Sequence, residues 1–210
     1  MPAAAKLRLA VFVSGSGRTL ENLLAWIAAG RLDAEIVLVV ASREGIRGTA
    51  IARDAGLATQ VLDPRQSTAA DVSDRAFAAC REQHVDLVVL GGYLHLLAIP
   101  ADYAGRVVNI HPSLLPAFGG KGYHGAAVHR AVIKRGCTVS GCTVHLVDEV
   151  YDNGRVLAQH AVPVEAGDTP DTLAVRVFTA ECQLLPETLQ AIACGDYGPL
   201  PLPPGVPAGR

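Results

Sequence analysis

An almost wholly apolar run, Leu7–Val13, stops at Ser14-Gly15-Ser16-Gly17-Arg18-Thr19. A helical pattern begins at once, with Leu20, Leu23, Leu24 and Ile27 spaced i, i+3, i+4, i+7 on one face. A strand without polar alternation is buried on both faces, and such strands belong to parallel sheets covered by helices on either side. The unit then repeats. Residues 36–41 read as a buried strand, 49–55 as a short helix closed by Gly56, and 59–62 as a short strand. Residues 69–83 read as a helix with Val72, Ala76 and Cys80 inward, 86–90 as the next strand, and 107–110 as another that ends at His111-Pro112. This repetition predicts an α/β fold, a doubly wound, mostly parallel Rossmann-like sheet. Thr19 is placed to cap the first helix and Gly30 to end it.

The last third differs. Residues 124–135 read as a helix closed by Gly136, and 138–147 and 156–164 as strands. Asn153-Gly154 between them is a turn signal, which predicts an antiparallel C-terminal strand pair. Thr169-Pro170 opens a long helix with proline in its first turn, Pro186 is expected to kink or split it, and Gly195 to end it. No repeat or linker interrupts residues 1–198, which are expected to form a single domain. Residues 199–210 hold five prolines and read as an extended tail.

Composition removes several classes of function. Hydrophobic residues make up 50% of the 210 positions and charged ones 18%, which excludes a mainly disordered chain. The 18 basic and 20 acidic side chains form no sustained run, so neither a nucleic-acid surface nor an anionic-membrane surface is expected. Negative ligands must be captured locally. Apolar runs are strand-sized, well short of the roughly 18 residues of a spanning helix. Residues 1–6 carry no apolar signal core, so a cytoplasmic location is expected. Cys80, Cys137, Cys142, Cys182 and Cys194 lack any Cys-x-x-Cys spacing and read as reduced thiols.

Ligands of such sheets bind outside the carboxyl ends of the strands, where three segments lie. The first, Ser14 to Thr19, offers helix-start amides, hydroxyls and the Arg18 charge to a phosphate. It fits neither the dinucleotide fingerprint, because Leu20 replaces the third glycine, nor the P-loop; a single phosphate of a mononucleotide-like substrate suits it better. The second, Gly91-Gly92-Tyr93-Leu94-His95-Leu96-Leu97, is either a short core-covering helix or the wall of a pocket for a flat ligand. The third is Val107-Val108-Asn109-Ile110-His111-Pro112-Ser113-Leu114-Leu115-Pro116. Asn109 and His111 are two apart on a strand and leave the same face at its end, two donors for a developing oxyanion. No ligand-spaced cluster of histidines and carboxylates suggests a metal.

Asn-Ile-His-Pro-Ser-Leu-Leu-Pro resembles the signature of the folate-dependent formyltransferases. The similarity extends in order through Gly141-Cys142-Thr143-Val144-His145, Asp148-Glu149-x-x-Asp152-x-Gly154 and Gly167-Asp168-Thr169-Pro170. Within the family the chain is most similar to members that formylate phosphoribosylglycinamide in purine biosynthesis. The resemblance implies 10-formyltetrahydrofolate as co-substrate, no metal, and a monomer or homodimer, with the phosphate side in the N-terminal half and the folate side in the C-terminal half. It places Asn109 and His111 at the formyl carbon, with Asp152 aligning His111 and handling the proton of the attacking amine. Gly15, Ser16, Gly17, Arg18 and Thr19 would hold the ribose phosphate and Glu181 the sugar. Leu94, His95, Leu96, Leu97, Val147 and Asp148 would line the pterin pocket.

His95, Arg155 and the long segment 117–125 depart from the family pattern. Lys121 in that segment is a candidate for a phosphate or a folate carboxylate. Beside Asp152, His111 is expected to favour its imidazolium form. The competing readings are an NADP-dependent oxidoreductase, with Ser42-Arg43 receiving the 2′-phosphate, and a formyltransferase for a different amine.

Overall fold

The structure, a computed structural model, describes residues 6–198, so the expected proline-rich tail lies outside the described residues. One seven-stranded sheet has the order β3-β2-β1-β4-β5-β6-β7. Its strands are β1 (Leu7–Val13), β2 (Ala34–Ala41), β3 (Thr59–Val61), β4 (Leu87–Leu90), β5 (Val107–His111), β6 (Val139–Leu146) and β7 (Val156–Pro163). β1 to β5 pair in parallel, and β6 and β7 add antiparallel at one side, as the sequence pattern predicts. The helices are α1 (Arg18–Ala28), α2 (Arg47–Asp54), α3 (Ala69–Glu82), α4 (Ala126–Lys134) and α5 (Pro170–Ala193).

The central strands are apolar on both sides because each side meets helices. From β1, Leu9, Val11 and Val13 join one core with α1, α2, α4 and α5. Ala10 and Phe12 join the other, against Val72, Ala76, Phe77 and Cys80 of α3. β1 and β4 are neighbours, and the chain leaves them in opposite directions across the sheet. The loops that follow them therefore flank the crevice where such folds bind ligands.

Three local expectations are corrected. The N-cap of α1 is Gly17 at φ 68°, with no side-chain cap, and Thr19 sits inside the helix. A left-handed N-cap puts the first α1 amides directly after a sharp turn, which a threonine cap on β-region backbone would not do. Helix α4 begins at Ala126, which leaves His124 in the preceding loop. Helix α5 runs unbroken for 24 residues through the buried Pro186. Proline lacks the N–H that would bond to the Cys182 carbonyl four residues back. Asn22 of α1 supplies the missing donor, its Nδ2 donating to that carbonyl at 2.9 Å. The break is repaired by a neighbouring helix, an event that no local pattern reveals.

This compensation predicts coupling. Asn22→Ala is expected to lower stability by about 1–3 kcal/mol by orphaning the carbonyl. In a Pro186→Ala background, where residue 186 has its own N–H, the same change costs less. Urea unfolding of the four proteins measures the cycle. Equal costs in the two backgrounds would refute the account.

Candidate active site

The loop after β1 is held from behind by α2. The Gly48 N–H donates to the Gly15 carbonyl at 3.1 Å, and the Arg47 guanidinium donates to the Ser16 carbonyl at 3.2 Å and to Glu21 at 2.7 Å. Gly17 permits this contact: a Cβ there would lie 2.6 Å from the Gly48 Cα. With the loop carbonyls tied to α2, the first amides of α1 have no intrahelical acceptor and are left for a ligand. Gly15 to Thr19 line a cavity of about 800 Å³, and the Arg18 guanidinium lies over the Phe178 ring, 3.9 Å from its centroid.

The segment after β4 forms no helix, which settles one of its two readings. Leu94 and Leu96 stay 50% and 41% exposed, while Leu97 is buried in the core behind them. His95 stands edge-on to Tyr93 at 5.4 Å. Leu94 to Leu97, Val147 and Asp148 all line the cavity, as do Lys121 and Glu181. The Asp148 carboxylate is engaged in its own loop, accepting from the Val150 N–H and from Asn153 Nδ2. Ser42 and Arg43 are not among the cavity walls, so the 2′-phosphate reading finds no site there.

Asn109, His111 and Asp152 meet on one wall, joined by a residue to which the sequence reading assigned no role. His145 of β6 stands directly opposite Asn109 of β5. Its Nδ1–H donates to the Leu146 carbonyl at 2.8 Å, which leaves Nε2 to accept from Asn109 Nδ2 at 3.1 Å. Asp152 lies between the two imidazoles, with Oδ1 3.4 Å from His111 Nδ1 and 3.7 Å from His145 Nε2. Its Oδ2 accepts from the Gly120 N–H at 2.9 Å. His111 Nε2–H donates to the Phe118 carbonyl at 2.9 Å.

The expected imidazolium at His111 is corrected. Burial disfavours its charged form more than Asp152 and the Phe118 carbonyl favour it, and its pKa falls below the ordinary histidine value. Near neutral pH the ring is therefore uncharged, with a proton on Nε2 and a lone pair on Nδ1 toward Asp152. For Asp152 the balance is reversed. Burial opposes its charge, but the groups around it, among them the Gly120 amide that donates to Oδ2, outweigh burial and hold the carboxyl below its usual range. The wall thus has one ionised group, Asp152, beside an empty proton site on His111.

Beyond the expected set, the cavity also takes in His145, Phe178 of α5 and His129 of α4. His129 is buried, with Nδ1 unpartnered. Only His145 had a signal in the sequence, its place at the end of the Gly-Cys-Thr-Val-His motif. Among the described residues no group of three or more His, Cys, Asp or Glu side chains is placed to hold a metal ion.

Burial pushes the Glu181 carboxyl up to about 7, against the pull of Arg18. The folded protein then keeps a proton on Glu181 at pH values where the unfolded chain has lost it. Between about 4.5 and 7, stability falls as pH rises. Glu181→Gln is expected to melt with the wild type at pH 4 and roughly a few degrees higher at pH 8. Scanning calorimetry at the two pH values measures this, and the same difference at both would refute it.

Residues 7–189 match the family model described as Formyl transferase. The chain is 41% identical over 192 residues to "Phosphoribosylglycinamide formyltransferase, chloroplastic" of Vigna unguiculata, covering 88% of this chain and 60% of that protein. It is 38% identical over 196 residues to a phosphoribosylglycinamide formyltransferase of Mycobacterium tuberculosis (strain CDC 1551 / Oshkosh), covering 92% of this chain and 88% of that protein. The solved structure of the Brucella melitensis phosphoribosylglycinamide formyltransferase superposes with a TM-score of 0.81 at 41% identity, covering 90% of this chain and 97% of that one. The chain spans about 60% of the length of the plant relative. With the family model matching residues 7–189 and a relative 38% identical of which 88% is covered, the chain belongs to the formyl transferase family.

Proposed function

We propose that the protein transfers the formyl group of 10-formyltetrahydrofolate to the primary amine of phosphoribosylglycinamide. The observation that carries this reading is the Asn109–His145–Asp152–His111 chain, set in the same cavity as a helix start ready for an anion. The exposed Leu94 and Leu96 suit the face of a pterin, and Gly15 to Thr19 suit the acceptor's phosphate.

Amine attack on the formyl carbon forms a C–N bond and leaves an oxyanion and an ammonium on one tetrahedral centre. Asn109 commits one amide proton to His145 and keeps the second for the oxygen. His111 Nε2–H becomes the other donor once the Phe118 carbonyl gives way to substrate. Phe118 holds φ 55°, a left-handed conformation costly for a bulky residue, which favours its release. Asp152 takes the ammonium proton, directly or through water, and the neighbouring Nδ1 of His111 stabilises it. The proton passes to N10 as the oxyanion collapses and the C–N10 bond breaks, giving the formamide and tetrahydrofolate. A positioned oxyanion donor contributes about 10²–10³ in rate, and positioned proton transfer about 10²–10⁴.

The purified protein is expected to release tetrahydrofolate only when phosphoribosylglycinamide is present; equal release without the amine would mean hydrolysis and defeat the proposal. His111→Ala and Asp152→Asn are expected to keep their circular dichroism and lose about 10²–10³ in kcat. Near-normal rates would overturn the assigned roles. Lys121→Ala is expected to raise KM for one of the two substrates, and unchanged values for both would remove Lys121 from the site.

A further inference from the structure

Arg18 is the first residue of α1. A helix concentrates the positive end of its dipole there, so a cation is electrostatically out of place. The acid of that first turn, Glu21, is bonded to Arg47. Among the described residues no carboxylate comes within ion-pair distance of the Arg18 guanidinium. Its partner is instead an aromatic ring, that of Phe178 on α5. Phe178 is half-buried and lies one turn before Glu181, and α5 is tied to α1 by the Asn22–Cys182 bond. The ring is therefore fixed relative to the start of α1.

Local rules are broken at functional positions when a ligand completes them. An anion at the start of α1 would satisfy the dipole and Arg18 together. A free arginine side chain carries about 2 kcal/mol of rotamer entropy. A ring that already holds the guanidinium removes part of that cost before binding, and leaves the N–H edge to fork on phosphate oxygens.

We infer that Phe178 is a positioning residue for acceptor recognition: it stacks Arg18 so that the guanidinium and the first amides of α1 receive a phosphate monoester together. The inference rests on the proposed reading that the acceptor is a phosphorylated amine. A leucine at 178 would fill apolar space but would not hold a cation.

In Phe178→Leu, KM for phosphoribosylglycinamide is expected to rise about three- to tenfold, with kcat and the folate KM within about twofold. Phe178→Tyr, which keeps the ring, restores the acceptor KM. In an Arg18→Met background Phe178→Leu adds nothing further, because the ring acts through the arginine; independent increments would overturn the inference. Should Phe178→Leu not fold, Arg18→Lys carries the test. It keeps the charge without the planar group, and an unmoved acceptor KM would overturn the inference. Ribose 5-phosphate, titrated calorimetrically, separates this inference from the proposed reaction. Phe178-dependent binding without formyl transfer supports the inference and defeats the reaction. Formyl transfer with an acceptor KM indifferent to Phe178→Leu supports the reaction and defeats the inference.

Discussion

The site depends on the register of β5 against β6. Asn109 stands opposite His145 and His111 opposite Thr143. Directly opposed residues of an antiparallel pair have Cβ atoms about 4.5–5.5 Å apart. A slip of one residue would turn every β6 side chain to the other face. Hydrophobic alternation does not prevent that slip, because all of β6 after Val139 is buried. Hydrogen bonds fix the register instead. The Thr143 hydroxyl donates to the Ser113 carbonyl and accepts from the Leu115 N–H and from Gln159 Nε2. The segment after His111 is thereby pinned to β6 at the point where the imidazole must be aimed. On its other side β6 approaches β7 closely at Gly141, where a Cβ would clash with the His160 carbonyl.

Asp152 reaches the site by a different device. β6 runs antiparallel, so its end lies opposite Val108, beside the start of β5 and away from His111. The loop must fold back over the sheet to bring a carboxylate between the two histidines. Asp152 adopts φ 54° to do so, and a Cβ on Gly154 would lie 1.8 Å from the Leu146 carbonyl. Asn153-Gly154 is a turn signal in the sequence and it does accompany an antiparallel pair. Its larger consequence is the approach of residue 154 to the end of β6, which allows residue 152 to turn inward.

This divides what the sequence discloses from what it withholds. β1 is legible to the residue, because an apolar run bounded by a glycine-rich loop is a local signal. β2 starts two residues earlier than its apolar run, at Ala34, because Leu7 pairs with Ala34 across the sheet. Asn109, His111 and Asp152 are legible as a set through family resemblance, since their spacing alone is weak. His145 is not legible as a participant: in a strand buried throughout, no periodicity separates a core histidine from one that aims an amide. Pro186 misleads for the same reason, since its partner, Asn22, is 160 residues away from Cys182 in the chain.

The two ends of the cavity handle charge in opposite ways. At the end proposed for the acceptor's phosphate the Arg18 cation stays exposed at a helix start that disfavours it, which suits an anion that arrives with its charge. On the wall proposed as catalytic the resting charge is the Asp152 carboxylate, and further charge arises only as the proposed reaction proceeds. There burial keeps His111 neutral and the neighbouring groups keep Asp152 ionised. A permanently charged imidazolium would pair with Asp152 and neutralise the group proposed to take the ammonium proton. A neutral ring with an empty Nδ1 leaves the carboxylate free until a proton arrives, and then shares it. The burial that keeps His111 neutral thus leaves the Asp152 carboxylate without a permanent counter-cation, and His111 stands on the same β5–β6 pair that aims the amide.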